Sequence, residues 1–262
     1  DTQPWAILVY GNVARLLLKA DTPTKQVVEV DQFLLAAATP DQAGYQKRQL
    51  LKTIITLDQS LQRAQIDTQH WEMTLSPQRQ FVNQRVLQVR SESFSNHFVG
   101  LILVHGSIQQ IATKEKDGAQ AYSIPLSIFA TQDIGLPQSI QAHPLSPNAC
   151  LGLISQEGSI HFQALSPSPV ARWDTDPQIP IRIQAALAAS QYQLSPSQAV
   201  SVQGSVAVTQ GAFPLGLATQ PDERLSHLAS FPPYYPVLNS GIPGVLITQA
   251  PTQRHWQLGE SK

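Results

Sequence analysis

The sequence predicts a β-rich α+β fold, built mostly from antiparallel hairpins and a meander, with one main amphipathic helix at about residues 40–65. Three observations carry this expectation. Short apolar runs are punctuated by Gly-containing turn pairs, the signature of hairpins. The run from Phe98 to Val104 is almost unbroken in apolar character, too short for a membrane helix, and reads as a buried strand. Between residues 50 and 64, Leu50, Leu51, Ile54, Leu57, Leu61 and Ala64 recur at three- and four-residue spacing, the period of a helix with one apolar face.

Taken in order, Trp5–Leu18 reads as two apolar segments flanking Gly11-Asn12, a hairpin pattern. Gln26–Val30 is a short β-branched strand. Thr39-Pro40-Asp41 has the chemistry of a helix start, with a capping hydroxyl, a Pro suited to the first helical position and an acid in the first turn. Trp71, Met73 and Leu75 alternate with polar residues, and Arg85–Arg90 alternates again, so both are strands. His97–Ala130 reads as a three-strand antiparallel meander, over Phe98–Val104, Ile108–Thr113 and Ala121–Phe129, with a turn at Gly106-Ser107 and another at Asp117-Gly118. Ala149–Ile154 and Ser159–Leu165 flank Gln156-Glu157-Gly158 as a further hairpin, and Gln198–Val202 and Ser205–Thr209 flank Gln203-Gly204 as another. Val245–Thr248 is a last short strand. The organisation expected is a mixed domain over 1–165, a Pro/Ser-rich linker over 166–180 and a smaller β-rich region over 181–262.

One local pattern recurs: a Gly, then Ser or Asn, then a β-branched residue. It stands at Gly11-Asn12-Val13, Gly106-Ser107-Ile108, Gly158-Ser159-Ile160 and Gly204-Ser205-Val206. The copies are irregularly spaced, and stacked-repeat folds show a fixed period, so no repeat fold is predicted.

Composition narrows the function classes. Hydrophobic residues make up 42% and charged residues 13%. The charged share is about half the usual ~25%, and uncharged polar residues take its place, with Gln about one residue in eight. Net charge is −1, and Lys and Arg form no basic run, so the footprint of a nucleic-acid binder is missing. Near-zero net charge points to a place in a larger assembly. The Gln-, Leu- and Pro-rich, Lys-poor usage has a bacterial, cyanobacterial-like style. Cys150 is the one cysteine, set in an apolar run, and reads as a buried inert thiol in a cytoplasmic protein. A secreted or periplasmic location is also compatible with so few cysteines. No window is long and apolar enough for a transmembrane helix.

No motif singles out a reaction. The histidines are never spaced as a metal-ligand pair, and there is neither a nucleophile elbow nor a phosphate-binding loop. His105, before a turn glycine at a strand end, is a position where catalytic residues occur. Asp174 and Asp176, two apart beside Trp173, are the one carboxylate pair of metal-ligand appearance, although hard cations want more oxygen ligands than two side chains supply. Phe231, Pro232, Pro233, Tyr234 and Tyr235 match a proline-rich ligand for aromatic grooves, and Trp256 lies in a segment suited to anchoring a partner. The expected function is a non-catalytic binding, sensory or scaffolding domain acting through protein–protein contacts, without a cofactor. The alternative is a hydrolase or sugar-acting enzyme using Asp174 and Asp176 or a distant His–carboxylate set.

Overall fold

A computed structural model describes residues 4–34, 43–77, 81–113, 120–165, 180–195, 198–208, 217–220, 222 and 244–247. Its organising feature is a chain that coils, laying each turn parallel on the one before. The first coil contributes β1 (Trp5–Tyr10), turns at Gly11-Asn12, touches a second face at Val13 and enters a third face as β2 (Arg15–Thr22). The next repeats this path as β7 (Phe98–His105), Ile108 and β8 (Ile111–Thr113). Then come β9 (Leu126–Ala130) with β10 (Ile134–Gly135), β11 (Leu151–Ser155) with β12 (Ser159–His161), and β13 (Ile181–Ala189) with β14 (Gln191–Gln193). Strands β15 (Val200–Val208) and β16 (Leu217–Gln220) continue the first face, and β17 (Gly244–Ile247) lies parallel to β1 at its other end.

The result is an eight-stranded sheet of parallel strands, in the order β16-β15-β13-β11-β9-β7-β1-β17, and a three-stranded parallel sheet, β10-β12-β14. This is the topology of a parallel β-solenoid, in which no coil can bury its apolar face alone and stacking supplies the core. The inward column on the large sheet is Ile7–Ile102–Ile128–Leu153–Leu187–Val206. The column on the small sheet is Val13–Ile108–Ile134–Ile160–Tyr192. Outward positions of the large sheet are apolar too, with Ala6, Leu101, Phe129, Ile154 and Ala188 forming a second buried cluster. Parallel strands buried on both faces read as unbroken apolar runs, which is why the Phe98–Val104 segment does.

A third sheet, β6-β5-β4-β3-β2-β8, grows sideways from the first coil. Between β2 and β7 the chain makes β3 (Lys25–Phe33), β4 (Gln46–Asp58), β5 (Arg63–Leu75) and β6 (Phe81–Ser95), each antiparallel to the last. Leu16, Leu18, Val28, Val30, Ile55, Leu57, Ala64 and Ile66 face the solenoid and share its core. Trp5 of the first coil packs on Phe94 and Phe98, with ring centroids 5.1 and 5.0 Å away, which ties the end of β6 back to the start of β7.

The structure therefore overturns the α+β expectation. No helix occurs among the described residues, and the segment expected to be helical, about 40–65, is from residue 43 a turn, strand β4, a second turn and the start of β5, while the expected helix start at Thr39-Pro40-Asp41 lies outside the described residues. The helical spacing of Leu50, Leu51, Ile54, Leu57, Leu61 and Ala64 competes with a period-two pattern in the same residues. Leu51, Thr53, Ile55 and Leu57 alternate inward, and Leu61 is exposed in the turn. β-branched residues fill Thr53–Thr56, which favours the strand. The mostly antiparallel expectation fails as well, since two of the three sheets are parallel throughout. Gly11-Asn12, Gly106-Ser107 and Glu157-Gly158 are corners that send the chain to another sheet rather than hairpin turns, and Gln203-Gly204 lies inside the single strand β15. The 97–130 meander resolves into β7 and β9 side by side and parallel, with β8 on a different sheet. The Asp117-Gly118 turn lies outside the described residues.

The recurring Gly-Ser/Asn pattern has a physical cause at two of its four positions, Gly106 and Gly158. Residues Val13, Ile108 and Ile160 belong to the small-sheet column, and Ile108, Ile134 and Ile160 follow at a spacing of 26 residues. At two column positions the preceding residue bridges to the next coil: Asn12 Oδ1 accepts from the Ser107 amide at 2.9 Å and Asp133 Oδ1 from the Ser159 amide at 2.7 Å. The glycine lies directly under that side chain. A Cβ on Gly158 would sit 2.6 Å from Asp133 Oδ1 and from the Gln132 carbonyl carbon, and one on Gly106 would sit 2.7 Å from the Gly11 carbonyl oxygen. Gly158→Ala should accordingly cost about 1–3 kcal/mol through overpacking, while Glu157→Ala beside it should stay within about 0.5 kcal/mol. Urea midpoints of the two variants check this, and equal midpoints would refute the packing account.

Candidate interaction surface

The side sheet builds the surface with the clearest functional character. Six strands end the three sheets among the described residues. Five are short: β16 and β17 have four residues each, β14 and β8 three, and β10 two. The sixth, β6, has 15. Short edges are a standard protection against unwanted strand pairing, whereas a long open edge offers a row of unused backbone donors and acceptors.

Apolar side chains lead across the sheet to that edge. Phe33, Leu50, Trp71 and Val86 stand opposite one another on successive strands β3 to β6. Leu50 is fully buried, and Phe33 and Trp71 pack against the cluster of Ala14, Leu50 and Met73. The Arg48 guanidinium lies over the Phe33 ring, 4.8 Å from its centroid, an arrangement stabilised by the ring's negative face. The Trp71 indole N–H donates to Gln69 Oε1 at 3.0 Å, which holds both side chains on the same face. At the edge the apolar residues come into the open: Val86 is 41% exposed, Leu87 46% and Val89 62%.

A bulge sets their directions. Trp71 pairs with Val86 and His70 with Gln88, so Leu87 is an extra residue without a partner on β5. By pleat alternation, Val86, Val89 and Ser91 share the face of Trp71, Gln69 and Asp67, whereas Arg85, Gln88, Arg90 and Glu92 share the face of Glu72, His70, Thr68 and Ile66. Arg90 and Glu92 form an ion pair along the edge.

A buried ionic cluster braces the root of the sheet. Arg15 Nε donates to Asp31 Oδ2 at 2.7 Å, a second Arg15 nitrogen pairs with Glu29, and Lys52 Nζ donates to Glu29 Oε1 at 2.6 Å. Asp31 is completely buried, with Oδ1 3.8 Å from Lys52 Nζ. Arg15 and Asp31 face each other across β2 and β3, and Asp31 and Lys52 across β3 and β4. Two cations and two anions balance within this group. Burial raises the Asp31 pKa above 3.8, opposed by the charges of Arg15 and Lys52. The cluster joins β2, β3 and β4 side chain to side chain.

Asp174, Asp176, Phe231, Pro232, Pro233, Tyr234, Tyr235 and Trp256 all lie outside the described residues. Among the described residues, no group of three or more His, Cys, Asp or Glu side chains is placed to hold a metal ion. His105 stacks on Tyr10, its partner on the adjacent strand, with ring centroids 4.6 Å apart and planes inclined at 14°. Cys150 is a buried free thiol. No helix among the described residues is long and apolar enough to cross a membrane. The alternation of Arg85–Arg90 marks a strand in the sequence, but its place at an open edge depends on which strands pair, and that is not local information. No protein-family model, curated protein or solved structure matches the chain, so its function is argued from its own geometry.

The ionic cluster yields a quantitative expectation. Arg15→Met leaves Asp31 and Glu29 with one cation and should cost about 3–5 kcal/mol, the usual penalty for breaking a buried pair from one side. The sign with pH follows from the raised pKa of Asp31. Its folded form takes up a proton more readily than its unfolded form, so its contribution to stability is greatest below pH 3.8 and is lost as the pH rises through the folded-state value. Removing Arg15 raises that value further. The deficit of Arg15→Met against wild type should therefore be smaller near about pH 3.5 than near pH 7, as read from denaturant midpoints at the two pH values. A deficit independent of pH would sink the assignment.

Proposed function

We propose that this chain is a non-catalytic binding and scaffolding domain, and that it joins proteins by accepting a strand at the free edge of β6. The observation that carries the reading is the combination at β6 of 15 residues of open edge with the exposed side chains of Val86, Leu87 and Val89. In strand addition the backbone hydrogen bonds supply affinity, and alternate side chains supply specificity. The solenoid gives this edge a rigid mount: β3, β4 and β5 share its core, the Arg15–Glu29–Asp31–Lys52 cluster locks their roots, and Phe94 pins the far end of β6 against Trp5. The scarcity of charge over the whole chain, 13% of residues, accords with a protein that works through uncharged contacts.

The test is capture from the native lysate, comparing wild type with Val89→Lys. Strand addition predicts a stoichiometric partner whose capture falls at least about tenfold, the equivalent of ~1.4 kcal/mol, when a desolvated ammonium is placed on the edge. Undiminished capture by the variant would move the binding surface away from β6, and no partner for either protein, a second copy of the chain included, would defeat the scaffold reading.

A further inference from the structure

Building on that edge-binding reading, we infer that the strand added to β6 is β6 of a second copy of this chain, antiparallel about a two-fold axis at Val89. The pattern of the strand is self-complementary once the bulge is counted. With Leu87 left out of the pairing, as it is against β5, a two-fold centred on Val89 puts Val89 opposite the second copy's Val89. Gln88 then meets the second copy's Arg90, Val86 meets its Ser91, and Arg85 meets its Glu92. Each pair joins side chains already on the same face of the sheet, the condition for direct cross-strand neighbours. The symmetry makes each of the last three pairs occur twice, so the axis is flanked by two Arg85–Glu92 pairs.

Three further observations favour this occupant. Val89, on the axis, is 62% exposed, more than Val86 or Leu87, and self-pairing covers it with an identical side chain. Other registers are penalised: a shift that brings Arg85 opposite Arg90 sets like charges against each other, which is destabilising for facing residues. The bulge and the charges of β6, features that blunt edges against indiscriminate pairing, thus narrow the registers open to a second copy, and this one pairs Arg85 with Glu92. The net charge of −1 per chain brings no bulk repulsion to an assembly of two copies. Closed two-fold contacts of this isologous kind are the commonest route to an oligomer.

The experiment uses the purified chain alone. Wild type should sediment as a dimer at about 100 µM, and Val89→Lys, which sets two ammonium groups on the axis, should weaken the dimer at least about tenfold. Glu92→Arg alone should do the same, and Arg85→Glu/Glu92→Arg should restore the dimer. Val89→Cys should cross-link within the dimer, because residues facing each other on such a pair have Cβ atoms about 4.5–5.5 Å apart, while Leu61→Cys, exposed in the β4–β5 turn, should not. Thermal unfolding of each variant separates loss of the dimer from loss of the fold. A monomeric wild type, or cross-linking of Val89→Cys no faster than that of Leu61→Cys, overturns the self-pairing. If that happens while Val89→Lys still abolishes capture of another protein from lysate, only the identity of the partner is wrong; if capture is also indifferent to Val89→Lys, the edge-binding reading falls with it.

Discussion

Neighbouring parallel strands lie about 4.8 Å apart, so each coil sets its side chains directly onto those of the coil before. That spacing is the constraint on which the structure depends. Val13, Ile108, Ile134, Ile160 and Tyr192 form one column because the chain returns to the same corner each time, and Ile7, Ile102, Ile128, Leu153, Leu187 and Val206 form another. An isolated coil would expose its whole apolar interior, and stacking converts that exposure into a continuous core. The same spacing leaves no room at the corners for a Cβ beneath a bridging side chain, which is why Gly106 and Gly158 precede their column residues.

Coils also have to satisfy backbone groups where the path leaves a ladder, since an unpaired buried amide or carbonyl costs about as much as a lost hydrogen bond. Neutral amide side chains do this here. Gln26, fully buried, donates to the carbonyls of Lys19, Val27 and Ala121 and accepts from the Ser123 amide. Gln32 donates to the Tyr10 carbonyl, Gln138 accepts from the Thr113 amide, and Gln184 accepts from the Ala142 amide. A side chain bearing both donor and acceptor can bridge two coils without bringing a charge into the interior. At these positions the buried polar role falls to neutral Gln rather than to a charged residue.

Strand content was legible because it is local. Phe98–Val104 matches β7 closely, Trp71–Leu75 and Arg85–Arg90 fall inside the much longer β5 and β6, and Val245–Thr248 overlaps β17 over its described residues. Pairing is not local. A turn such as Gly106-Ser107 has the same chemistry whether the next strand folds back or moves to another face. The repeat is visible at 26 residues only for Ile108, Ile134 and Ile160; the excursion through β3–β6 separates Val13 from Ile108, and residues 166–179 fall between Ile160 and Tyr192. Two corners also lack the glycine, reading Gln132-Asp133 and Ser190-Gln191, so the pattern drops out where the path persists. In β4 the helix-like spacing of leucines was a coincidence of two faces: Leu57 packs in the solenoid core, while Leu50 belongs to the Phe33–Trp71 cluster on the other side.

A solenoid has ends, and a sheet grown from its side has an edge; both are liabilities unless covered or kept short. Among the described residues β17 lies along β1, the remaining sheet-ending strands other than β6 run to four residues or fewer, and β6 runs to 15. The contrast has an energetic consequence. A long edge carrying Val86, Leu87 and Val89 in water forgoes burial of roughly 25 cal/mol for each Å2 of apolar surface, a gain open to any strand that pairs there. The charges and the bulge of β6 restrict which strand can collect it, because a partner must present a side chain acceptable to Arg85, Arg90 and Glu92 while skipping Leu87. The features that protect the edge are therefore the same ones that would give the proposed strand pairing its specificity, and the rigid core beneath would fix the geometry in which that specificity is read.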